Sequence, residues 1–182
     1  MPARGVARQF LWVAAWMALC GPATLAQTNS NPAAVNLLAV INPQISVVAS
    51  PGTVNFALVP NGTANGDVPI TITTSWALRP NIGFLALWGS FASAPAALTS
   101  GFGNNIPSSS VRGSVNGGAF APFTGLSPFG IGTSRLIFLL RILGNNRNST
   151  RNDTLNLQID TTGLGLPPGT YTGILRLQAV AI

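Results

Sequence analysis

The chain is marked first by the chemical groups that it lacks. It contains no histidine, lysine or glutamate, and its only cysteine is Cys20. General acid–base catalysis depends on side chains that titrate near the working pH, most often histidine, so the usual catalytic combinations are missing. Imidazole and thiolate ligands for a transition metal are scarce for the same reason. We therefore predict a protein that is not an enzyme and that uses no cofactor and no metal.

Three aspartates are the remaining candidates for acid–base chemistry. Asp67 lies in a Gly/Asn turn, Asp153 in a polar loop and Asp160 at a strand end. Aspartate commonly serves as a turn or cap residue at such places, and this is the interpretation that we favour. An aspartate-dependent hydrolase is the remote alternative. A calcium site formed by Asp67 and loop carbonyls is a further one.

The chain is also poor in charge. Its nine basic residues are all arginine, and it has three acidic residues. The arginines form no run, whereas nucleic-acid-binding proteins cluster positive charge on one surface, so we predict no nucleic-acid partner. Arg147 and Arg151 lie in an asparagine-rich loop over residues 144–153 and are candidate contacts for an anionic ligand surface. A solvated loop is the interpretation that we favour.

The N-terminal apolar run, residues 10–19, is too short to span a bilayer, which takes about 20 residues. It is preceded by Arg4 and Arg8 and followed by small residues at 24–26. This is the pattern of a secretory signal peptide. We expect a secreted, periplasmic or cell-surface protein without a stable membrane span after cleavage. A retained anchor, or a lipoprotein lipidated at Cys20, is the alternative.

Cleavage there divides the chain into three parts. Residues 1–26 are the signal peptide, the polar and proline-containing residues 27–34 are expected to be flexible, and residues 35–182 form one domain. A domain of this size buries roughly 68–70% of its unfolded surface, which is enough for a core. Because the only cysteine lies in the signal peptide, the mature domain rests on packing without a disulfide.

Alternation of apolar and polar residues fills most of the domain. The clearest alternating segments are residues 68–78, 82–92, 134–143, 154–160 and 171–182. A period of two is what a strand with one buried face requires, and no stretch beyond the signal peptide has the helical period of 3.6. About eight to ten strands separated by turn signals predict an all-β fold, an antiparallel β-sandwich.

The same alternation predicts which side chains share a face. Leu136 shares a face with Phe138, and Arg135 and Ile137 lie on the opposite one. In the closing strand we expect three side chains to pack inward and two to face solvent or a neighbour. These are, respectively, Tyr171, Leu175 and Leu177, and Arg176 and Gln178. Asn116-Gly117 is the signature of a tight β-hairpin.

Two tryptophans lie within predicted strands. Trp76 belongs to an apolar face, which favours packing in the core. Trp88 lies on a strand that is apolar on both faces, so it either packs in the core or contacts a ligand such as a carbohydrate. Core packing is the interpretation that we favour for both.

An alternating segment also opens the domain. Val35, Leu37, Ala39 and Ile41 share one face, the pattern that an extended segment needs to add itself to an open sheet edge of another chain. The alternative, which we favour, is that the segment pairs within its own domain as the first strand.

Both ends of the domain resemble one family. Residues 35–41, Ile45-Ser-Val-Val48 and Thr53-Val-Asn-Phe56 are similar to the opening of secreted bacterial fimbrial-subunit and spore-coat-U-like domains. Pro168-Gly-Thr-Tyr-Thr-Gly-Ile-Leu-Arg-Leu177 resembles their closing strand. The resemblance implies an immunoglobulin-like sandwich exported by bacteria and, in some relatives, a subunit that lends a strand to its neighbour.

These observations predict an exported, non-enzymatic structural or adhesive protein of the cell surface or extracellular space. Its expected partners are further copies of itself or other surface proteins. The alternative is a monomeric module that binds carbohydrate or another surface ligand.

Overall fold

The computed structural model of the chain describes residues 36–40, 42–130 and 132–182. The predicted signal peptide, residues 1–26, and the segment 27–34 lie outside the described residues, so both stay predictions.

The segment expected to be the first strand differs from the prediction. Val35 and Ile41 lie outside the described residues, but residues 36–40 between them belong to no strand, and Leu37 is 91% exposed. All strands lie in a compact unit that spans Ile41–Ile182. The interpretation of this segment as a first strand of its own domain is thus wrong for residues 36–40. Alternation of apolar side chains in residues 36–40 is thus not accompanied by strand pairing in this structure.

The described residues form thirteen strands and two short 3₁₀-helices. The strands are β1 Gln44–Ser50, β2 Thr63–Asn65, β3 Ile70–Ala77, β4 Phe84–Phe91, β5 Leu98–Thr99, β6 Asn105–Ile106, β7 Val111–Val115, β8 Ala121–Pro122, β9 Gly125–Leu126, β10 Thr133–Arg141, β11 Asn148–Asp160, β12 Thr172–Gly173 and β13 Arg176–Ala181, and the 3₁₀-helices are Ser108–Ser110 and Gly144–Asn146. Among the described residues no helix has the length and apolar character needed to cross a membrane.

The strands form three antiparallel sheets. Sheet A has the order β1-β3-β11-β7-β8, with β2 also paired to β11; sheet B has the order β13-β4-β10-β9, and the small sheet C has the order β12-β5-β6. Sheets A and B share one hydrophobic core, which confirms the predicted all-β antiparallel sandwich. The structure has more strands than predicted because several consist of two or three residues, too few to show alternation in the sequence.

In regular strands the alternation of side chains determines which of them enter the core. In β3 every second side chain is buried, among them Ile72 and Trp76. Trp76 is 4% exposed, and its indole N–H donates a hydrogen bond to the carbonyl oxygen of Asn146 at 2.8 Å. The prediction that Trp76 packs in the core is confirmed.

A phenylalanine from an irregular region fills the middle of the sandwich. Phe123 is fully buried, and its ring meets the ring of Phe91 edge-on at 5.2 Å between centroids. Glycines lie on the two sheets beside it: a Cβ on Gly89 would be 3.0 Å from the ring of Phe123, and one on Gly113 would be 3.3 Å from it. The two glycines thus make the space that the phenylalanine occupies.

A β-bulge in β10 overturns the predicted faces of that strand. The pairing with β4 shifts between Leu136 and Phe138, so Ile137 is the extra residue. Ile137 and Phe138 are both buried although they are neighbours, whereas Leu136 is 39% exposed. Arg135 lies on the inner side and donates a hydrogen bond to the carbonyl oxygen of Ala121 at 2.9 Å, which links β10 to sheet A.

Strand β11 is longer than the sequence predicted. Residues 148–153, expected to be a polar loop, pair with β3. Their outward side chains form a polar ladder with that strand: Thr73 donates to the side chain of Asn152 at 2.8 Å, and the hydroxyls of Ser75 and Thr150 lie 2.9 Å apart. Cross-strand hydrogen bonds of this kind stabilise strands without apolar residues.

The closing strand behaves as predicted. Tyr171, Leu175 and Leu177 pack against the core, and Arg176 and Gln178 are exposed. Regular pairing with β4 begins only at Arg176.

The bulge predicts that replacing two different leucines of sheet B lowers the free energy of unfolding by different amounts. Leu87→Ala removes a fully buried side chain and should lower the free energy of unfolding by about 2–5 kcal/mol. Leu136→Ala, on the outer side of the bulge, should lower it by less than about 1 kcal/mol. Urea unfolding of both variants measures the difference, and equal losses would contradict the assignment of Leu136 to the outer face.

Candidate functional site

Two sheet edges lie next to each other along one side of the sandwich. Among the described residues β1 pairs only with β3, and β13 pairs only with β4, so the outer edge of each strand is unpaired. The two strands lie close together across this side, yet they belong to different sheets. An unpaired edge exposes a row of N–H and C=O groups that can pair with another chain.

Beyond the end of β1 this side opens into a cleft. The cleft has a volume of about 970 Å³ and lies between residues 51–61, which follow β1, and residues 165–175, which precede β13. Its floor belongs to the core and includes Leu157 and Ile159 of β11. The cleft therefore gives direct access from the surface to apolar side chains between the sheets.

The walls of the cleft carry apolar side chains and pair little with the large sheets; in the second wall β12 pairs with β5 of the small sheet C. Val54 and Phe56 line one wall, and Leu166, Tyr171 and Leu175 line the other; all five are partly buried against the core. The first wall makes one isolated bridge, at Phe56, to the rest of the sheet. No local sequence pattern predicts this cleft, because its walls come from Gly/Pro-rich segments about a hundred positions apart.

Asp67 holds the first wall in place. Its Oδ1 accepts a hydrogen bond from the backbone N–H of Asn55 at 2.9 Å, and its Oδ2 accepts one from the side-chain amide of Asn55 at 2.8 Å. These hydrogen bonds, the side-chain one first, lower the pKa of Asp67. The favoured interpretation, turn chemistry, fits this geometry.

Asp160 also makes structural contacts. It accepts hydrogen bonds from the guanidinium group of Arg112 at 3.0 Å and from the backbone N–H of Thr162 at 3.1 Å. No group of three or more His, Cys, Asp or Glu side chains is gathered in the described part of the chain.

Arg147 and Arg151 both make contacts within the chain. The guanidinium group of Arg147 donates to the carbonyl oxygens of Arg79 at 2.7 Å and Ile82 at 3.2 Å, which ties down the turn before β4. Arg151 lies on the inner face of β11, where it binds Asp153 and lies over the ring of Phe138 at 4.6 Å from the centroid. The structure therefore assigns both arginines to the fold, and the polar loop that was to present them to a ligand is instead the start of β11.

The Arg151–Asp153 ion pair closes one end of the core. Arg151 donates to both carboxylate oxygens, at 2.7–3.0 Å, and the Asp153 side chain is fully buried. A further hydrogen bond comes from the side-chain amide of Asn116, which donates to Oδ1 of Asp153 at 2.7 Å.

Asn116 and Gly117 have positive φ angles of 50° and 75°, and the N–H of Gly118 donates to the carbonyl oxygen of Val115 at 2.9 Å, so the Asn-Gly pair forms a turn. The predicted two-residue hairpin is wrong in length, because residues 116–120 separate β7 from β8.

The pKa of Asp153 reflects two opposing effects. Burial raises the pKa because it disfavours the charged carboxylate, whereas the hydrogen bonds from Arg151 and Asn116 and the charge of Arg151 lower it. The hydrogen bonds and the charge of Arg151 outweigh the effect of burial, so the pKa of Asp153 lies below its ordinary value near 3.8.

Trp88 lies outside the core. It lies on the opposite side of β4 from Gly89, whose missing Cβ would point at Phe123, and it is half-buried. Its neighbours on the outer face of sheet B are Leu136 on β10 and Gln178 on β13. The favoured prediction of core packing is therefore wrong for Trp88, because the face it belongs to is apolar yet covered by no second layer among the described residues.

The chain matches no known protein-family pattern and no curated protein sequence. The cleft and the outer face around Trp88 are thus the features from which a function can be inferred.

The buried ion pair predicts a loss of stability on neutralisation. Asp153→Asn leaves Arg151 without a carboxylate, and the free energy of unfolding should fall by about 2 kcal/mol. This is less than for a fully buried pair because the Arg151 side chain is 35% exposed. The matched variant Asp67→Asn, at an exposed carboxylate, should lose less. Urea unfolding at pH 7 compares them, and a larger loss for Asp67→Asn would contradict the role given to Asp153.

The lowered pKa of Asp153 predicts acid sensitivity. The ion pair contributes its full stability above the unfolded-state pKa, near 3.8, and this contribution is lost as the pH falls through the lower folded-state pKa. The free energy of unfolding should therefore decrease below about pH 4, and less steeply in Asp153→Asn than in the wild type. Urea unfolding from about pH 5 to pH 2.5 measures both slopes, and parallel curves would contradict the prediction.

Proposed function

We propose that this chain is an exported, non-enzymatic structural subunit that assembles by pairing an extended segment of one copy with the open edge of the next. The observation that carries the proposal is the apolar cleft of about 970 Å³ beside the two unpaired edges. Export follows from the pattern of residues 1–26, and a fimbrial-type, immunoglobulin-like subunit is what the resemblance at both ends implies.

The acceptor in this proposal is the side of the sandwich that carries the cleft. Edge strands expose backbone groups that an incoming strand can bind, and side-chain pockets then select the residues of that strand. Here the outer edges of β1, of seven residues, and β13, of six residues, supply backbone groups. The cleft supplies the apolar pocket beside them.

The donor is the segment formed by Val35, Leu37, Ala39 and Ile41 with the residues between them. Leu37 and Leu38 are 91% and 92% exposed, although a leucine gains roughly 1.5–3 kcal/mol when it is fully buried. An exposed apolar segment of this kind marks an interaction site. Its length of about seven residues matches that of the edge strands it would pair with.

The inventory of side chains supports a non-enzymatic role. Asp153 binds Arg151, Asp160 binds Arg112 and Asp67 binds Asn55, so each aspartate is engaged in the fold. A carboxylate held in this way is a poor proton carrier, because its hydrogen bonds favour the charged form.

The proposal predicts different effects for two adjacent leucines of the donor. Leu37→Asp places a charge on the alternating face with Val35, Ala39 and Ile41, so it should prevent burial in the cleft and leave the exported protein monomeric. Leu38→Asp adds the same charge on the opposite face and should leave oligomers largely intact, because strand side chains alternate. Sedimentation velocity on both variants and on the wild type over a range of concentrations measures this.

Deletion of residues 27–41 from the exported chain is the second variant. It should abolish oligomers and leave the unfolding curve unchanged, since the strands of the described residues begin at Gln44 or later. A wild-type protein that stays monomeric at high concentration would overturn the proposal. Equal oligomerisation of the two aspartate variants would also overturn it.

A further inference from the structure

The outer face of sheet B carries an apolar patch. Side chains alternate along β4, so Phe84, Ala86 and Trp88 share the face opposite the core. Leu136 and Leu139 of β10 lie beside them and are 39% and 57% exposed. Ala86, between Phe84 and Trp88, is 2% exposed, so the accessible part of the patch consists of the larger side chains, with the half-buried Trp88 at its centre.

A small pocket with both polar and apolar lining borders the patch on the same face. It has a volume of about 110 Å³ and is lined by side chains from β4 and β13 and from the segment that follows β9. These include Ser90, Arg176, Gln178, Ser127 and Phe129. Polar groups that converge beside an apolar surface are typical of a ligand site.

Trp88 and the pocket are direct neighbours. Gln178 pairs with Trp88, and Arg176 pairs with Ser90 two positions further along β4. Because strands rise about 3.3 Å per residue, the lining of the pocket begins roughly 7 Å from Trp88 along the strand. One small ligand can therefore contact both.

The pocket has a free cation. Arg176 and Gln178 are exposed, and their side chains make no hydrogen bond or ion pair within the described part of the chain. The three aspartates lie elsewhere: Asp153 and Asp160 on β11 and Asp67 beside β2, all in or next to sheet A. The outer face of sheet B thus presents positive charge without a neighbouring carboxylate, which is complementary to an anionic ligand.

We propose that this face is a binding site for an acidic saccharide. The sugar ring lies on the indole of Trp88, with its apolar C–H side against the aromatic face. The carboxylate of the sugar enters the pocket, where Arg176 forms a charge-assisted hydrogen bond and Gln178 and Ser90 bind neighbouring oxygens. The pocket is too small for a whole ring, so it selects the charged substituent rather than the sugar itself.

This site is separate from the cleft, and its test is independent of the proposed assembly. The probe is a galacturonic acid oligosaccharide, compared with its carboxyl-reduced neutral counterpart, and binding to the exported chain is followed by titration calorimetry and tryptophan fluorescence. Arg176→Gln should weaken binding of the acidic probe by about tenfold, the effect of one charge-assisted hydrogen bond. It should change the binding of the neutral probe by less than about twofold, because that probe has no carboxylate for Arg176 to bind.

Two further variants complete the test. Arg112→Gln removes the same charge from sheet A and should leave binding of the acidic probe within about twofold, because Arg112 binds Asp160 instead. Trp88→Phe keeps an aromatic ring at this position, and urea unfolding checks that the variant is folded. It should weaken the binding of both probes severalfold. Equal losses of affinity for the acidic probe in Arg176→Gln and Arg112→Gln would overturn the proposed site, because they would indicate non-specific electrostatic attraction. Equal affinity of the wild type for the two probes, or no binding at millimolar concentration, would also overturn it.

Discussion

The backbone pairing of β11 is the interaction on which the rest of this structure depends. The strand runs from Asn148 to Asp160 and pairs with β3 and β2 along one edge and with β7 along the other. Because its side chains alternate, the same ladder sends Leu155, Leu157 and Ile159 into the core. Near the middle of the strand Asp153 forms the buried ion pair with Arg151, and towards its C-terminal end Leu157 and Ile159 form the floor of the cleft. One strand thus links the buried ion pair to the cleft.

A sandwich without a disulfide needs other links between its sheets, and this one uses aromatic and cationic side chains. Phe123 fills the space between Gly89 and Gly113, so its ring contacts both sheets. Arg135 reaches from β10 to the carbonyl oxygen of Ala121 on β8, and Arg151 of β11 lies over a ring of β10. Each contact joins sheet A to sheet B, and together they leave the side between β1 and β13 without a comparable link.

The sequence predicts what depends on alternation within a strand and fails where a contact is made elsewhere. The closing strand and β3 are regular, so their inward residues, such as Leu177 and Trp76, follow from a period of two. The bulge at Ile137 leaves the composition of β10 unchanged while it reverses the face of Leu136, and only the pairing with β4 reveals it. The polar start of β11 is a strand because Thr73 and Ser75 bind it across the ladder. The cleft and the pocket near Trp88 form between distant segments, which no local pattern encodes.

An open sheet edge and an exposed apolar segment are each an aggregation hazard, and pairing the segment with the edge would remove both hazards. Assembly of that kind would use the side of the sandwich between the sheets. The face around Trp88 lies on the outside of sheet B, so it would remain accessible in every copy of the assembly. A weak site repeated along one assembly gains affinity through effective concentration without any new contact. In such an assembly the low charge of the chain and the free cation of each pocket would suffice for adhesion, because the binding strength would come from the number of copies.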